Sequence, residues 1–338
     1  MVLGTLLAAS AIVAAGCGGS DNATSTAASG GAASNGISGK RFTIMLQSTP
    51  NTSKVVVAHA VDLLKKQGVK ATLKFNASST NVAIAQLLSK NIDVYGEAVV
   101  GGIGGVAQGI PLVDFALQQP RADYVMLGKD PMKTLADLKG KKVGIQDTTG
   151  ANYAQLLLAL QKGGLTVKDI HIVTAGGQST RLPALVAGRV DATMLSHGAE
   201  IALAGKGFNT LFDYTKDAPD LYDDNSFATK EWLSNNKELA VAWNKALLAS
   251  FAWFDDPANA NAVVDEALKL APADDRGDTT KFFDMLRQAD AYPKGAILSP
   301  AALEAQQTLF KNAGVIEEVI PVAQWADDTY AKQAASGS

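Results

Sequence analysis

From Lys40 onward, short β-branched apolar runs alternate with longer stretches whose apolar residues recur every three or four positions, and polar turns separate them. Arg41–Leu46 predicts a strand, Gln47–Ser53 (QSTPNTS) a polar loop, and Lys54–Gln67 an amphipathic helix closed by Gly68. Val69–Phe75 predicts the next strand. A Ser/Thr-rich turn at 76–80 leads into a helix over Asn81–Ser89, and Ile92–Tyr95 reads as a strand. Pro111–Phe115 and Ala122–Gly128 follow as strands, the second expected to cross into another lobe. The alternation is most regular over residues 137–198. There Asp137–Ile145 (DLKGKKVGI) runs a charged turn into a strand, and a helix is predicted at Ala151–Lys162. His171–Thr174 reads as a strand, Thr180–Ala187 as a helix behind a Ser179 cap, and Val190–Leu195 as a strand ending at Ser196-His197-Gly198. Two βα units in succession predict a parallel sheet with its polar turns along one edge. Asn209–Tyr214 adds a strand, and Asp223, Asn225, Ser226 and Phe227 mark the return crossing. From Glu231 the pattern is helical, with Trp232, Trp243, Trp253 and Trp325 spaced for a core.

The candidate chemistry sits at the strand-to-helix turns. Thr148-Thr149-Gly150 offers two hydroxyl caps and a glycine that lets a ligand approach free helix N–H groups, and Asn152 follows in the first turn. In an open α/β sheet such turns lie at the carboxyl ends of the strands, where ligands bind. Ser79-Thr80, Ser179 with Arg181, and Ser196-His197 are built alike, and Ser226 stands at the return crossing. Each has a plainer alternative. Ser79 and Thr80 read as caps, Arg181 as a solvated charge in a first helical turn, and His197 as a hydrogen-bond donor and not a catalyst. Glu97, at a strand end, would repel a simple anion, so a solute facing it also carries an amine or another donor group. Gly101-Gly102-Ile103-Gly104-Gly105 loosely fits a dinucleotide fingerprint, but Gly109 and Pro111 follow within two turns; a close-packed small-residue helix fits better.

Charge and composition remove several classes. The 338 residues allow about two domains. Thirty Lys and Arg against 33 Asp and Glu give a net charge of −3, which promises no basic face for nucleic acid or anionic lipid. A single cysteine excludes an intrachain disulfide or a cysteine metal cluster, and the three histidines, His59, His171 and His197, have no metal-binding spacing. No nucleophile elbow or paired-carboxylate frame is present, so no catalytic residue, cofactor or metal is assigned and the chain reads as a non-enzyme.

Residues 1–16 are almost wholly apolar, too short a run to span a bilayer comfortably, and end in Ala14-Ala15-Gly16-Cys17. Small residues before a cysteine suggest a lipoprotein signal that leaves Cys17 as a lipidated N-terminus, although no Lys or Arg precedes Lys40 and Ala14 stands where Leu is usual. Residues 18–39 are Gly, Ser, Ala, Thr and Asn with one charge, Asp21; such a segment reads as a disordered tether spanning on the order of 25 Å.

Taken in order, AIAQLLSKNIDV, KTLADLKGKKVGI, TTGANYAQLLLAL, RLPALVAGRVDAT and WADDTYAKQA resemble the type II periplasmic solute-binding proteins of ABC importers, in the group that takes aliphatic sulfonates, taurine, nitrate and thiamine precursors. The resemblance covers roughly residues 41–335. It implies two α/β lobes of mixed sheet flanked by helices, joined by a two-strand hinge: lobe 1 from 40–120 plus 223–338, lobe 2 from 121–222. It places solute contacts in the loop after the first strand, at Gln47, Ser48, Thr49 and Asn51, where the plainer reading makes Asn51 or Thr52 a helix cap. It further implies a monomer, anchored outside the cytoplasmic membrane or periplasmic, that delivers an anionic or dipolar solute to permease subunits and their ATPase. A neutral pyrimidine precursor of thiamine, or a tethered sensor, is the alternative.

Overall fold

A computed structural model describes residues 36–76, 80–148, 151–219, 221–312, 314 and 316–337. In chain order the elements are β1 (Arg41–Leu46), α1 (Val55–Lys66), β2 (Lys70–Phe75), α2 (Thr80–Leu88), β3 (Val94–Ala98), α3 (Val99–Ala107), β4 (Leu112–Leu117), β5 (Tyr124–Lys129), β6 (Lys142–Ile145), α4 (Ala151–Lys162), β7 (His171–Thr174) and α5 (Gln178–Val186). There follow β8 (Ala192–Ser196), α6 (His197–Leu203), β9 (Phe208–Asp213), α7 (Tyr214–Asp217), β10 (Asp224–Thr229), α8 (Lys230–Asn235), α9 (Lys237–Asp255), α10 (Ala260–Leu270), α11 (Arg276–Gln288), α12 (Pro300–Asn312) and α13 (Thr329–Ser336). The expected alternation of strand and helix is present, with β1 and β7 at the bounds the sequence predicts.

Two five-stranded sheets form, in the orders β2-β1-β3-β10-β4 and β7-β6-β8-β5-β9. Both are mixed. β1 runs parallel to β2 and β3 while β10 runs antiparallel to β3 and β4; β6 runs parallel to β7 and β8 while β5 runs antiparallel to β8 and β9. The first strand after each passage between sheets is thus the antiparallel one.

The chain passes between the sheets twice, through 118–123 and through 214–223. The passages lie against each other: the Gln118 and Gln119 amides donate to the Asp224 carbonyl at 3.0 and 2.9 Å, and the Asp223 amide donates to the Gln119 carbonyl at 3.1 Å. β5 belongs wholly to the second sheet and β10 wholly to the first. The expected crossings at Ala122–Gly128 and 223–227 are therefore displaced toward the segments that precede them, 118–123 and 214–223.

One core joins the first sheet to α1, α9 and α10 around Phe42, Ile44 and the fully buried Trp243. A second joins Met126, Val143 and Met194 of the second sheet to Val99 and Ile103 of α3, Phe227 of β10 and Trp325. Small residues make that continuity possible. A Cβ on Gly102 would stand 2.1 Å from the Phe227 ring, so α3 can lie on β10 only with glycine there. The small-residue helix is thereby accounted for as packing. Trp232 and Trp253 are partly buried against the first core.

The leader and Cys17 lie outside the described residues. The last four residues of the expected tether do not: Gly36–Gly39 turn against the fold, Ile37 is buried in the first core, and the Gly39 amide donates to the Gly68 carbonyl at 2.8 Å. Ordered chain begins earlier than the first strand because Ile37 has a core to enter. Ser179 does not cap α5; Gly177 holds that position without a side-chain bond, and Ser179 lies exposed in the first turn.

Candidate functional site

The two passages meet at a lysine. Lys54 ends a 3-10 turn before α1, and its Nζ reaches Asp224 Oδ2 at 2.7 Å and Gln119 Oε1 at 3.2 Å. Burial alone would depress its pKa, but Asp224, Asp223, Asp123 and Tyr124 together hold it well above the ordinary lysine value. Asp123 and Asp223 are themselves buried, and burial pushes the Asp123 carboxyl upward despite the nearby Lys54 and His197. One ammonium thus faces three carboxylates. Two phenols face the same place: burial and the charges of Asp123 and Asp223 push Tyr124 and Tyr292 upward, and neither hydroxyl has a hydrogen-bond partner among the described residues. Among those residues no His, Cys, Asp and Glu group could hold a metal ion.

On the second sheet, the cations expected at the site are enclosed. Arg181 is 2% exposed; Nε and Nη2 donate to the Met194 carbonyl at 3.3 and 3.2 Å, and Nη1 to the Gly176 carbonyl at 2.7 Å. It is neither a solvated charge nor, with these bonds made, a free donor to a solute. His197 is 1% exposed, with Nδ1 2.8 Å from Glu200 and Nε2 3.1 Å from Thr215 and 3.3 Å from Asp213. Burial would depress its pKa; the bonds to Asp213 and Glu200 overcome burial and raise it to about 9. Asp213 is held down at about 2, where burial is outweighed by His197 and Lys216. His197 is therefore the centre of an internal charge cluster.

The remaining expected residues divide. Gln178 clamps Ser196, accepting from its amide at 2.8 Å and donating to its hydroxyl at 3.0 Å. Asn152 accepts from the Gln146 amide at 2.9 Å, which ties α4 to the end of β6. Ser226 is fully buried and receives Gln118 Nε2 at 2.8 Å and Trp243 Nε1 at 2.9 Å. Asn51 caps the turn after β1, accepting from the Ser53 amide at 3.0 Å, as its plainer reading has it. The Gln47 amide donates to the Gly96 carbonyl at 3.1 Å, and Thr49 and Thr148 are exposed. The Ser48 hydroxyl is buried with no partner. Ser79 and Thr149 lie outside the described residues, as do the side chains of Thr80 and Glu97; the Glu97 backbone pairs with Asn225.

Between α3 and α4 lies a recess that includes Val99, Gln155, Asp223 and Gln306, with a volume of ≈ 10 Å³, the space of about one water. Gln306 donates to the Tyr222 carbonyl at 2.9 Å, and its buried Oε1 has no partner. Sequence reasoning missed this junction because Lys54, Asp123, Asp223 and Asp224 each look like surface charge alone. The available signal was acids at both expected crossings.

The family described as NMT1/THI5 like matches this sequence over residues 49–260. The chain belongs to that family. As an NMT1/THI5-like protein it is similar to a Haemophilus influenzae protein named for thiamine biosynthesis, 38% identical over 91 residues (26% of this chain, 28% of that one). It is also similar to the riboflavin-binding protein RibY of Chloroflexus aurantiacus, 23% identical over 185 residues (54% of this chain, 52% of that one). The chain thus spans about a quarter and about half of these two relatives. Its fold is that of the periplasmic aliphatic sulphonate binding protein SsuA of Escherichia coli: TM-score 0.67, 19% identity, 85% of this chain and 92% of SsuA covered. The two mixed sheets are thus the periplasmic-binding-protein architecture that the resemblance implied. The desulfurization enzyme DSZB shares the fold at TM-score 0.62 and 15% identity, with 88% of this chain and 99% of DSZB covered.

Proposed function

We propose that this NMT1/THI5-like chain is the extracytoplasmic solute-binding component of an ABC importer. It holds a small solute between its two sheets, as two lobes of one monomer, and delivers it to permease subunits and their ATPase. The fold shared with a periplasmic sulphonate-binding protein supports the reading, and the junction carries it. Two sheets connected by two passages, with two phenols and more carboxylates than cations at the meeting point, form a site that opening can expose and closure can complete. No residue is given a catalytic role. The proposed lobes are 36–120 plus 223–338 and 121–222, and Cys17 is proposed as the lipid-bearing residue.

The solute is a dipolar molecule that carries an amine or another donor group. Arg181 is bound to carbonyls and Lys54 is outnumbered by acids, so the junction offers a simple anion no cation beyond Lys54, while its acids and phenols can accept donors. A neutral aminopyrimidine satisfies the same acceptors and is the second reading, favoured by the acid excess. Titration calorimetry with taurine, methanesulfonate, nitrate and a 4-aminopyrimidine tests it. A donor-bearing compound is expected to bind at micromolar Kd, about −8 kcal/mol, at least tenfold tighter than methanesulfonate. Tighter binding of methanesulfonate or nitrate overturns the choice of solute. An unchanged radius of gyration with bound solute overturns the two-lobe closure, and full retention of Cys17→Ser protein on membranes washed in about 0.5 M salt, which screens surface charge, overturns the anchor.

A further inference from the structure

The near balance of charge along the chain conceals a segregation in space. The amino ends of β1, β2 and β3 and the carboxyl end of β10 form the edge of the first sheet opposite the passages. The segments that meet there are bound to each other. The Lys70 amide donates to the Lys40 carbonyl at 2.8 Å and the Gly39 amide to the Gly68 carbonyl at 2.8 Å. Arg41 Nη2 donates to the Lys90 carbonyl at 2.8 Å. Across residues 36–41, 62–70, 90–93 and 229–238, eight lysines and arginines stand against four carboxylates. Each of the four acids already has a cation: Asp62 has Lys65, Asp93 has Arg41, Glu231 has Lys90, and Glu238 has Lys40. Lys66, Lys70, Lys230 and Lys237 are left over, all exposed and without an ion pair among the described residues. From Lys70 beside β2 to Lys230 at the end of β10 is three strand spacings, roughly 14 Å; a recess of ≈ 190 Å³ lined by Arg41, Lys90, Asp93 and Trp232 opens on the same edge, and none of the four left-over lysines lines it.

We propose that this edge is a docking surface for an anionic lipid bilayer. Four uncompensated ammonium groups on one sheet edge match a plane of lipid phosphates, and residues 36–39, where the chain enters the fold, lie on the same edge. Eighteen residues, 18–35, separate Cys17 from Gly36, and their composition gives an expected reach on the order of 23 Å. With Cys17 anchored as proposed above, that length keeps the basic edge within a few Debye lengths of the membrane. The protein then rests with the edge on the bilayer and the junction turned away from it. The expectation of no basic face for anionic lipid comes from net charge alone, which does not register how charges segregate in space.

The test is sedimentation of the full chain with vesicles of pure phosphatidylcholine and of phosphatidylcholine with 30% phosphatidylglycerol. Residues 1–16 carry no charged side chain, so they contribute equally to both. Binding is expected to be at least tenfold stronger on the phosphatidylglycerol vesicles in about 0.1 M salt, and the preference should vanish in about 0.5 M salt. Replacing Lys66, Lys70, Lys230 and Lys237 together by Gln should remove at least tenfold of it while leaving the melting temperature unchanged. Equal binding to both vesicles overturns the proposal, as does a quadruple variant that keeps the preference. So does capture by heparin in place of the vesicles, which would assign the face to a soluble polyanion. The vesicle preference is independent of the Cys17 anchor, which Cys17→Ser tests separately.

Discussion

Two buried cations stand where strands end, and their surroundings differ in one respect. His197, with Lys216 beside it, is matched by Glu200 and Asp213, so two positive groups face two negative ones. Lys54, at the passages between the sheets, faces Asp123, Asp223 and Asp224, and of these His197 acts only on Asp123, through its charge. The first cluster lies within the second sheet and its helices; the second touches both sheets. A charge cluster that is complete holds a fold, whereas one left with an excess of acceptors and two idle phenols has capacity for a further partner. In the proposed function, this contrast, and not the residue types, separates structural from functional charge.

The contrast breaks most sharply at Lys54. Lys54→Met leaves three carboxylates facing one another and is expected to cost about 3–5 kcal/mol in denaturant unfolding at pH 7. A cost under about 1 kcal/mol would mean that the acids are relieved some other way. His197→Gln comes next, and its effect depends on pH. A folded-state pKa of about 9, above the ordinary 6.5, contributes stability that is fully present below about 6.5 and is lost as pH rises through 9, up to about 3 kcal/mol. Melting curves of the wild type should therefore fall across that window, and the variant should be less stable in acid and flat through it. Asp213 works in the opposite sense: its depressed value supports the fold above about pH 4 and ceases to as pH falls through 2.

Removing one acid from each cluster sharpens the comparison. Asp213→Asn should destabilise by about 2 kcal/mol, whereas Asp123→Asn should stay within about 1 kcal/mol of wild type and still weaken solute binding about tenfold in calorimetry. Equal stability losses would remove the distinction. The smallest effect belongs to Ser48→Ala, which removes a buried hydroxyl that bonds to nothing and should change stability by less than about 0.5 kcal/mol. A fivefold loss of affinity in that variant would put Ser48 against the solute.

What the sequence made legible follows from the range of the interactions. The bounds of β1 and β7 depend on local alternation and were readable from it. The cap of α5 was misread because Ser179 has the right chemistry, while the backbone turns one step earlier, at Gly176 (φ +75°) and Gly177. Arg181 was misjudged for a different reason. Periodicity says which face of a helix a residue occupies, but not that a neighbouring strand brings the Met194 carbonyl over that face. The cluster at Lys54 unites positions up to 170 residues apart in sequence. Pairing over such a distance is decided by which strands share a sheet, and no local pattern records that.

The place of β10 sets an order of assembly. β10 lies between β3 and β4, although about a hundred residues, including the whole second sheet, are synthesised between β4 and β10. The first sheet therefore cannot close while the ribosome has delivered only its first four strands, whereas the second sheet is one continuous stretch and can form alone. Half of the molecule must wait, unpaired along an interior edge, until residue 229 has emerged. A chain that finishes its first domain last stays threadable for most of its synthesis.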